Sequence, residues 1–306
     1  MNRLSRYGVV AALLVLFVAF SLASPTFLTF ANLKSVVVNH FAILSLVSLG
    51  MTLVVATGGI DLSIGASVDM ASLAYIEVLA QNGSPALAVA AGLAGAAVVG
   101  AFNGVLIACL RVPPFLATLG TLFIAQSVQQ LLTDGGTPIY LIAGPPRPIF
   151  SLVEVARLWL VGGGILATFL LFGASIFGRR VLALGVGPAV ARYSGLPVRR
   201  DVAAVMVNAA LLAGVAGIIL SSSVRSYAPL SGNAYLLDAI GATFLGTTFS
   251  AHGRANVAGT LLGVLLLSIV KNGLLLVGVS FYWQQVGDGA LIFLVLALSF
   301  RSRRSQ

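Results

Sequence analysis

Two acidic side chains stand where acids are costly. Asp61 lies in the stretch Thr57 to Gly65, TGGIDLSIG, between two apolar runs, and Asp69 lies inside the second of those runs. An ionisable group within an apolar helix must be paired or wet, so each marks a candidate solute or proton path. Each also has a plainer reading. Asp61 or Ser63 can cap a restarting helix, because a short side-chain oxygen accepts the unpaired amides of the first turn and a carboxylate complements the dipole. Asp69 can pair with another intramembrane polar group and fix helix packing. Gly58, Gly59, Asp61, Ser63, Asp69, Asn103, Phe115 and Asn272 form the candidate translocation path, in which Asn103 is an amide that needs partners.

Other chemistries find little support. The sequence contains no GxxxxGK[ST] phosphate loop and no HExxH motif, and His40 and His252 are isolated. Cys109 is the only cysteine, which rules out a disulfide framework and a cysteine metal site; it is expected to be a buried, small apolar group. No cofactor and no metal are expected. The chain is therefore not expected to be an enzyme.

The elements that must position these residues are membrane helices. Of the 306 residues 59% are hydrophobic and 8% charged, and the mean hydropathy is +1.06. A span takes about 20 apolar residues, which leaves room for roughly ten. The fold class expected is an all-α polytopic bundle with broken helices, a single domain over residues 1–306. Expected spans are an apolar run from Val9 to Phe20, then Val36 to Ala56, Ile64 to Ala80, Ser84 to Leu110, Phe115 to Leu132, Leu158 to Phe177, Val202 to Ser222, Leu236 to Phe249, Val257 to Leu276 and Tyr282 to Phe300. The glycine pair before Asp61 breaks the backbone between the second and third, and broken backbone at membrane depth survives only against protein or a water-filled path.

The net charge of +9 orients the chain and does not recruit nucleic acid. With the N-terminus inside, only Lys34, Arg147, Arg157 and Arg225 fall outside and Lys271 sits near a helix end; the remaining arginines are cytoplasmic, which is the positive-inside bias. Both termini are then cytoplasmic. Asn32 to Lys34 is a short outside turn. Asp134 to Arg157, broken by Gly144, Pro145, Pro146 and Pro148, is the longest outside connection and a docking surface. Gly178 to Arg200 is the inside loop, with helical potential from Pro188 to Ser194 before Gly195 and Pro197; it reads as a charged retention loop or as a coupling helix for a cytoplasmic partner. Gly92, Ala96, Gly100 and Gly104 make a packing seam. A weak internal repeat, roughly 36–133 and 202–300, places a glycine-marked polar break in each half, the pattern of repeat-built transporters.

Five blocks, in order over nearly the whole chain, resemble the permease subunits of ribose-type sugar ABC importers: GGIDLSIG from Gly58, NGVLIACLRVPPFLATLGT from Asn103, ALGVGPAVARYSGLPV from Ala183, LDAIGATFLG from Leu237 and NGLLLVGVSFYWQ from Asn272. GTTFSAHGRAN from Gly246 departs from the family's usual GGTS-like segment, and Asp69 is unusual in its third helix. The resemblance implies a homodimeric permease in the bacterial inner membrane, working with a cytoplasmic ATP-binding subunit and a periplasmic sugar-binding protein. Ala189, Arg192, Tyr193, Ser194 and Gly195 match the ATPase-contacting loop. The function expected is monosaccharide import driven by ATP hydrolysis in a separate chain; the alternative is a proton-coupled secondary transporter using Asp61 or Asp69.

Overall fold

A computed structural model describes residues 3–141, 147–250, 253–280, 282–287 and 289, with side chains from residue 10 onward. Helix α1 (Arg3–Ala23) leads to a turn at Ser24 and Pro25. Helix α2 (Phe30–Ser35), a π-helical turn (Val36–Phe41) and α3 (Ala42–Ala56) then run on as one rod of 27 residues. The outside turn expected at Asn32 to Lys34 is therefore helical. Thr29 starts it early, its hydroxyl oxygen accepting from the Asn32 amide at 3.4 Å.

Helix α4 (Ile64–Ala80) takes the expected bounds. Helix α5 (Pro85–Gly104) continues through a second π-helical turn (Val105–Cys109), and α6 (Pro114–Leu132) follows. Both begin on proline, whose missing N–H would have been an orphan there. A two-residue strand, β1 (Ile139–Tyr140), precedes α7 (Pro148–Ala174). That helix corrects the expectation of a broken connection as far as Arg157: Pro148 opens the helix and does not prevent it. Helices α8 (Ile176–Val186), α9 (Pro188–Tyr193) and α10 (Val198–Val224), strand β2 (Ser226–Tyr227), and helices α11 (Asn233–Thr247) and α12 (Val257–Leu276) complete the order. Residues 282–287 and 289 are helical; the rest of the expected tenth span, and His252, lie outside the described residues.

Among the described residues six helices are long and apolar enough to cross a membrane: Phe30–Ala56, Pro85–Cys109, Pro114–Leu132, Pro148–Ala174, Val198–Val224 and Val257–Leu276. The chain is a multi-pass membrane protein. At 17 and 15 residues, α4 and α11 are shorter yet sit in the interior.

Helix α10 is the axis. It packs on α3, α4, α5 and α7, while α11 and α12 pair and lie against α3, and α1 covers α12. Lipid gives helices no hydrophobic drive to associate, so close backbone approach supplies the packing. The expected small-residue seam on α5 does this against α10: a Cβ at Gly100 would stand 2.7 Å from the Met206 carbonyl oxygen.

The bundle has two distinct ends. At one, the antiparallel pair β1–β2 joins Ile139 to Tyr227 and Tyr140 to Ser226. At the other lie α8 and α9, with α8 so near the end of α3 that a Cβ at Gly185 would stand 2.2 Å from the Ala56 carbonyl oxygen. Arg180 ties α8 to the first turn of α10 through an ion pair with buried Asp201 at 2.9 Å.

Two polar residues are placed differently from expectation. Arg157, expected in an outside loop, is buried on α7 and donates to the Val38 carbonyl, Asn39 and Ser223. Cys109, expected to be buried, is exposed, at the end of the π-helical turn that closes α5.

Candidate translocation site

The break after α3 is a closed polar joint. Gly58, at φ +87°, supplies the left-handed residue that ends α3. Ser63 then occupies the cap position of α4, but its hydroxyl caps nothing. Asp61 accepts instead, from the Ser63 N–H at 2.8 Å and from the Ser63 hydroxyl at 2.6 Å. Asn103 on α5 donates to the Ser63 hydroxyl at 2.6 Å, and its carbonyl accepts from Thr121 on α6 at 2.6 Å. The Leu62 N–H donates to Thr118 at 3.0 Å. Asp61, Ser63, Asn103, Thr118 and Thr121 are all buried, and none of their side-chain polar atoms is buried without a partner. The sequence-predicted trio of Asp61, Ser63 and Asn103 is thus brought together, with two threonines that sequence reasoning did not single out.

Asp69 belongs to a second cluster, one that the fold builds from distant chain. Ser222, at the end of α10, bonds Tyr75 at 3.0 Å, so the chain there stands level with the upper part of α4. By Gly232 it has returned beside Gly65: a Cβ at Gly232 would lie 2.0 Å from the Gly65 carbonyl oxygen. Between those levels α4 rises about 15 Å at 1.5 Å per residue. Residues 225–232 therefore form a strap that leaves the β1–β2 end and dips into the bundle, and α11 starts at its foot.

Three side chains hold the strap. Asp69 Oδ1 accepts from the Gly232 N–H at 2.7 Å and from the Ser231 hydroxyl at 3.0 Å, satisfying the entry to α11 from another helix. Gln129 on α6 uses its carbonyl to accept from the Tyr227 hydroxyl at 2.8 Å and the Leu230 N–H at 3.2 Å. Leu230 sits at φ +64°, a left-handed conformation that a branched residue adopts at a cost.

The remaining polar atoms of the two holders meet each other: the Gln129 side-chain amide lies against the buried Asp69 carboxylate as a hydrogen-bonding neighbour, in a looser contact than the strap bonds. Gln129, Ser231 and Gly232 are not among the residues singled out from the sequence.

The remaining predicted residues are scattered. Phe115, 51% exposed, lies on the outer face of α6. Asn272 on α12 exchanges two amide hydrogen bonds with Asn32 on α2, each 2.9 Å, which is a packing contact. Ala189, Arg192, Tyr193, Ser194 and Gly195 all lie on or just after α9 and are exposed, Tyr193 to 93%. Gly195, at φ +76°, ends α9 in the left-handed cap, with the Leu196 N–H bonded back to the Ala191 carbonyl at 3.1 Å. Among the described residues no cluster of histidine, cysteine and carboxylate side chains could hold a metal ion.

Residues 32–296 match the family described as the permease component of the branched-chain amino acid transport system. The ribose import permease protein of Escherichia coli K12 is 35% identical over 93% of this chain and 90% of its own length. That of Bacillus subtilis 168 is 35% identical over 96% of this chain and 92% of its own. The galactose/methyl galactoside import permease protein of Escherichia coli K12 is 28% identical over 95% and 93%. No solved structure matches.

Proposed function

Because the chain belongs to the family of transport-system permease components that includes the ribose import permeases, we propose that it is the membrane subunit of an ATP-driven monosaccharide importer in the bacterial inner membrane. It takes a pentose, hexose or related polyol from a periplasmic binding protein and releases it to the cytoplasm. Ten crossings with both termini inside, in a single domain with a weak internal repeat, fit this role and the arginine distribution. The observation that carries the reading is similarity over nearly the full length to permeases named for three different sugars, ribose, galactose and L-arabinose.

In the mechanism we propose, the motor is a separate ATP-binding chain. It docks on α9, whose exposed face around Arg192 and Tyr193 projects from the end where α8 touches the close of α3. Nucleotide-driven movement of α9 passes through α8, pinned to α10 by the Arg180–Asp201 pair, into the helices around the joint at residues 57–63. A second permease subunit, identical in sequence, completes the path. The binding protein engages the β1–β2 end and does most of the selecting, since a permease that held sugar tightly would release it slowly.

The chain is tested by purification alone and together with its ATP-binding subunit and its binding protein. The chain alone should hydrolyse no ATP. Proteoliposomes holding all three should accumulate radiolabelled D-ribose, D-galactose or L-arabinose when ATP is supplied on the motor's side. Hydrolysis by the chain alone would contradict the scheme.

A further inference from the structure

We propose that the groove between α7 and α10, beside the start of α8, binds an anionic phospholipid, with an acyl chain along the groove and the phosphate among the arginines at its end. The inference goes beyond the transport reading and needs only that these helices cross a membrane.

The groove has a volume of about 640 Å³, within the roughly 300–1,000 Å³ of ligand sites. One wall is the face of α7 that carries Ala167, Leu171 and Ala174, at the i, i+4, i+7 spacing of a single helical stripe. The other is Ala204 and Asn208, one turn apart on α10, and Ser175 and Phe177 close the end where α7 gives way to α8. Alanines on both walls leave the space open. The polar groups of the lining are already committed: the Ser175 hydroxyl donates to the Leu171 carbonyl and accepts from the Gly178 N–H, and the Asn208 amide donates to the Ala204 carbonyl. The walls therefore suit a hydrocarbon chain, which regains the dispersion contacts that an empty groove forfeits.

The charge at the end of the groove selects the headgroup. Arg200 stands one turn before Ala204 on the same face of α10, with Arg199 next to it, and Arg179 follows Phe177 on α8. All three are exposed and, among the described residues, form no ion pair, while Asp201 beside them is buried and taken by Arg180. Three uncommitted cations at the end of an apolar groove match a phosphate attached to an acyl chain, the chemistry of basic pockets between membrane helices. A second copy of this chain seated here across a twofold axis would bring its own three arginines to the same end, so charge favours a lipid as the occupant.

The test uses the full chain purified in a neutral detergent and titrated with phosphatidylglycerol or with phosphatidylcholine of the same acyl chains, with bound lipid read by native mass spectrometry. The wild type should hold phosphatidylglycerol at least about fivefold more tightly, the scale of one arginine near a lipid phosphate. Arg200→Gln should lower phosphatidylglycerol binding about fivefold and leave phosphatidylcholine unchanged. Ala167→Phe, which fills the groove from an exposed position, should lower both. Arg147→Gln, the same charge lost at the opposite end of α7, should bind as the wild type does.

Equal binding of the two lipids by the wild type would overturn the site, as would wild-type binding in both Arg200→Gln and Ala167→Phe. An equal fall in Arg147→Gln and Arg200→Gln would overturn it too, leaving net charge as the cause. Ala167→Phe that keeps lipid but separates a dimer into monomers would give the groove to a second copy instead. None of these results depends on ATP-driven uptake, so the transport reading stands or falls separately.

Discussion

The joint at residues 57–63 and the strap at residues 225–232 are both breaks in membrane helices, and they solve the same problem in opposite ways. At the joint the partners are near in the chain or one helix away: Asp61 accepts from Ser63, Ser63 from Asn103 on α5, and the Leu62 N–H donates to Thr118 on α6. At the strap the Leu230 and Gly232 N–H groups are held by Gln129 on α6 and Asp69 on α4, each about a hundred residues or more away in sequence. Irregular backbone at membrane depth survives only against such partners, and here one break is satisfied locally and the other only by the assembled bundle.

The contrast is broken most severely at Gly232. A Cβ there would meet the backbone oxygen of Gly65 at 2.0 Å, and backbone has no rotamer to yield. Gly232→Val should cost about 3 kcal/mol or more, the scale of overpacking a tight contact, and thermal unfolding of the purified protein in detergent would show it. Survival of Gly232→Val with unchanged stability would mean the strap does not rest on α4.

Asn103→Ala comes next and probes the joint. It removes both the donor to Ser63 and the acceptor of Thr121 and should cost about 1–3 kcal/mol in the same assay. Asp69→Asn, by contrast, keeps a carbonyl acceptor for the Ser231 and Gly232 bonds and should shift unfolding less than Asn103→Ala. If Asn103→Ala leaves stability untouched, the joint is not the closed element described.

The smallest effect on folding is expected at the far end. Tyr193→Ala on α9 removes a side chain that touches almost nothing within this chain, so stability should stay within about 0.5 kcal/mol. Co-purification of the ATP-binding subunit should nonetheless drop sharply.

Much of this architecture was legible in the sequence, for physical reasons. Apolar length located most spans, and α4 and α12 took the expected bounds. Spans that differed did so where a helix signal overlay a breaker: Thr29 caps a helix through Asn32 to Lys34, and Pro148 opens α7 from a proline-rich run. Asp61, Ser63 and Asn103 were legible as partners in need because amides and acids in apolar helices must pair. Their actual pairing depended on side-chain directions that hydropathy does not encode.

The strap was not legible. Its contacts link Asp69 with Ser231 and Gly232, and Gln129 with Tyr227 and Leu230, across long stretches of chain. Serine, glycine and leucine in a polar connection are indistinguishable from an ordinary loop until the bundle is assembled. For the same reason Asn272, read as a path residue, turned out to face Asn32.

The account stands or falls on what drives uptake. Proteoliposomes holding this chain, its ATP-binding subunit and the binding protein can be energised by ATP alone or by an imposed proton gradient alone. The account predicts sugar accumulation with ATP, insensitive to an uncoupler, and none with the gradient. Accumulation under the gradient without nucleotide, abolished by Asp69→Asn, would contradict it and make the buried acid a proton carrier.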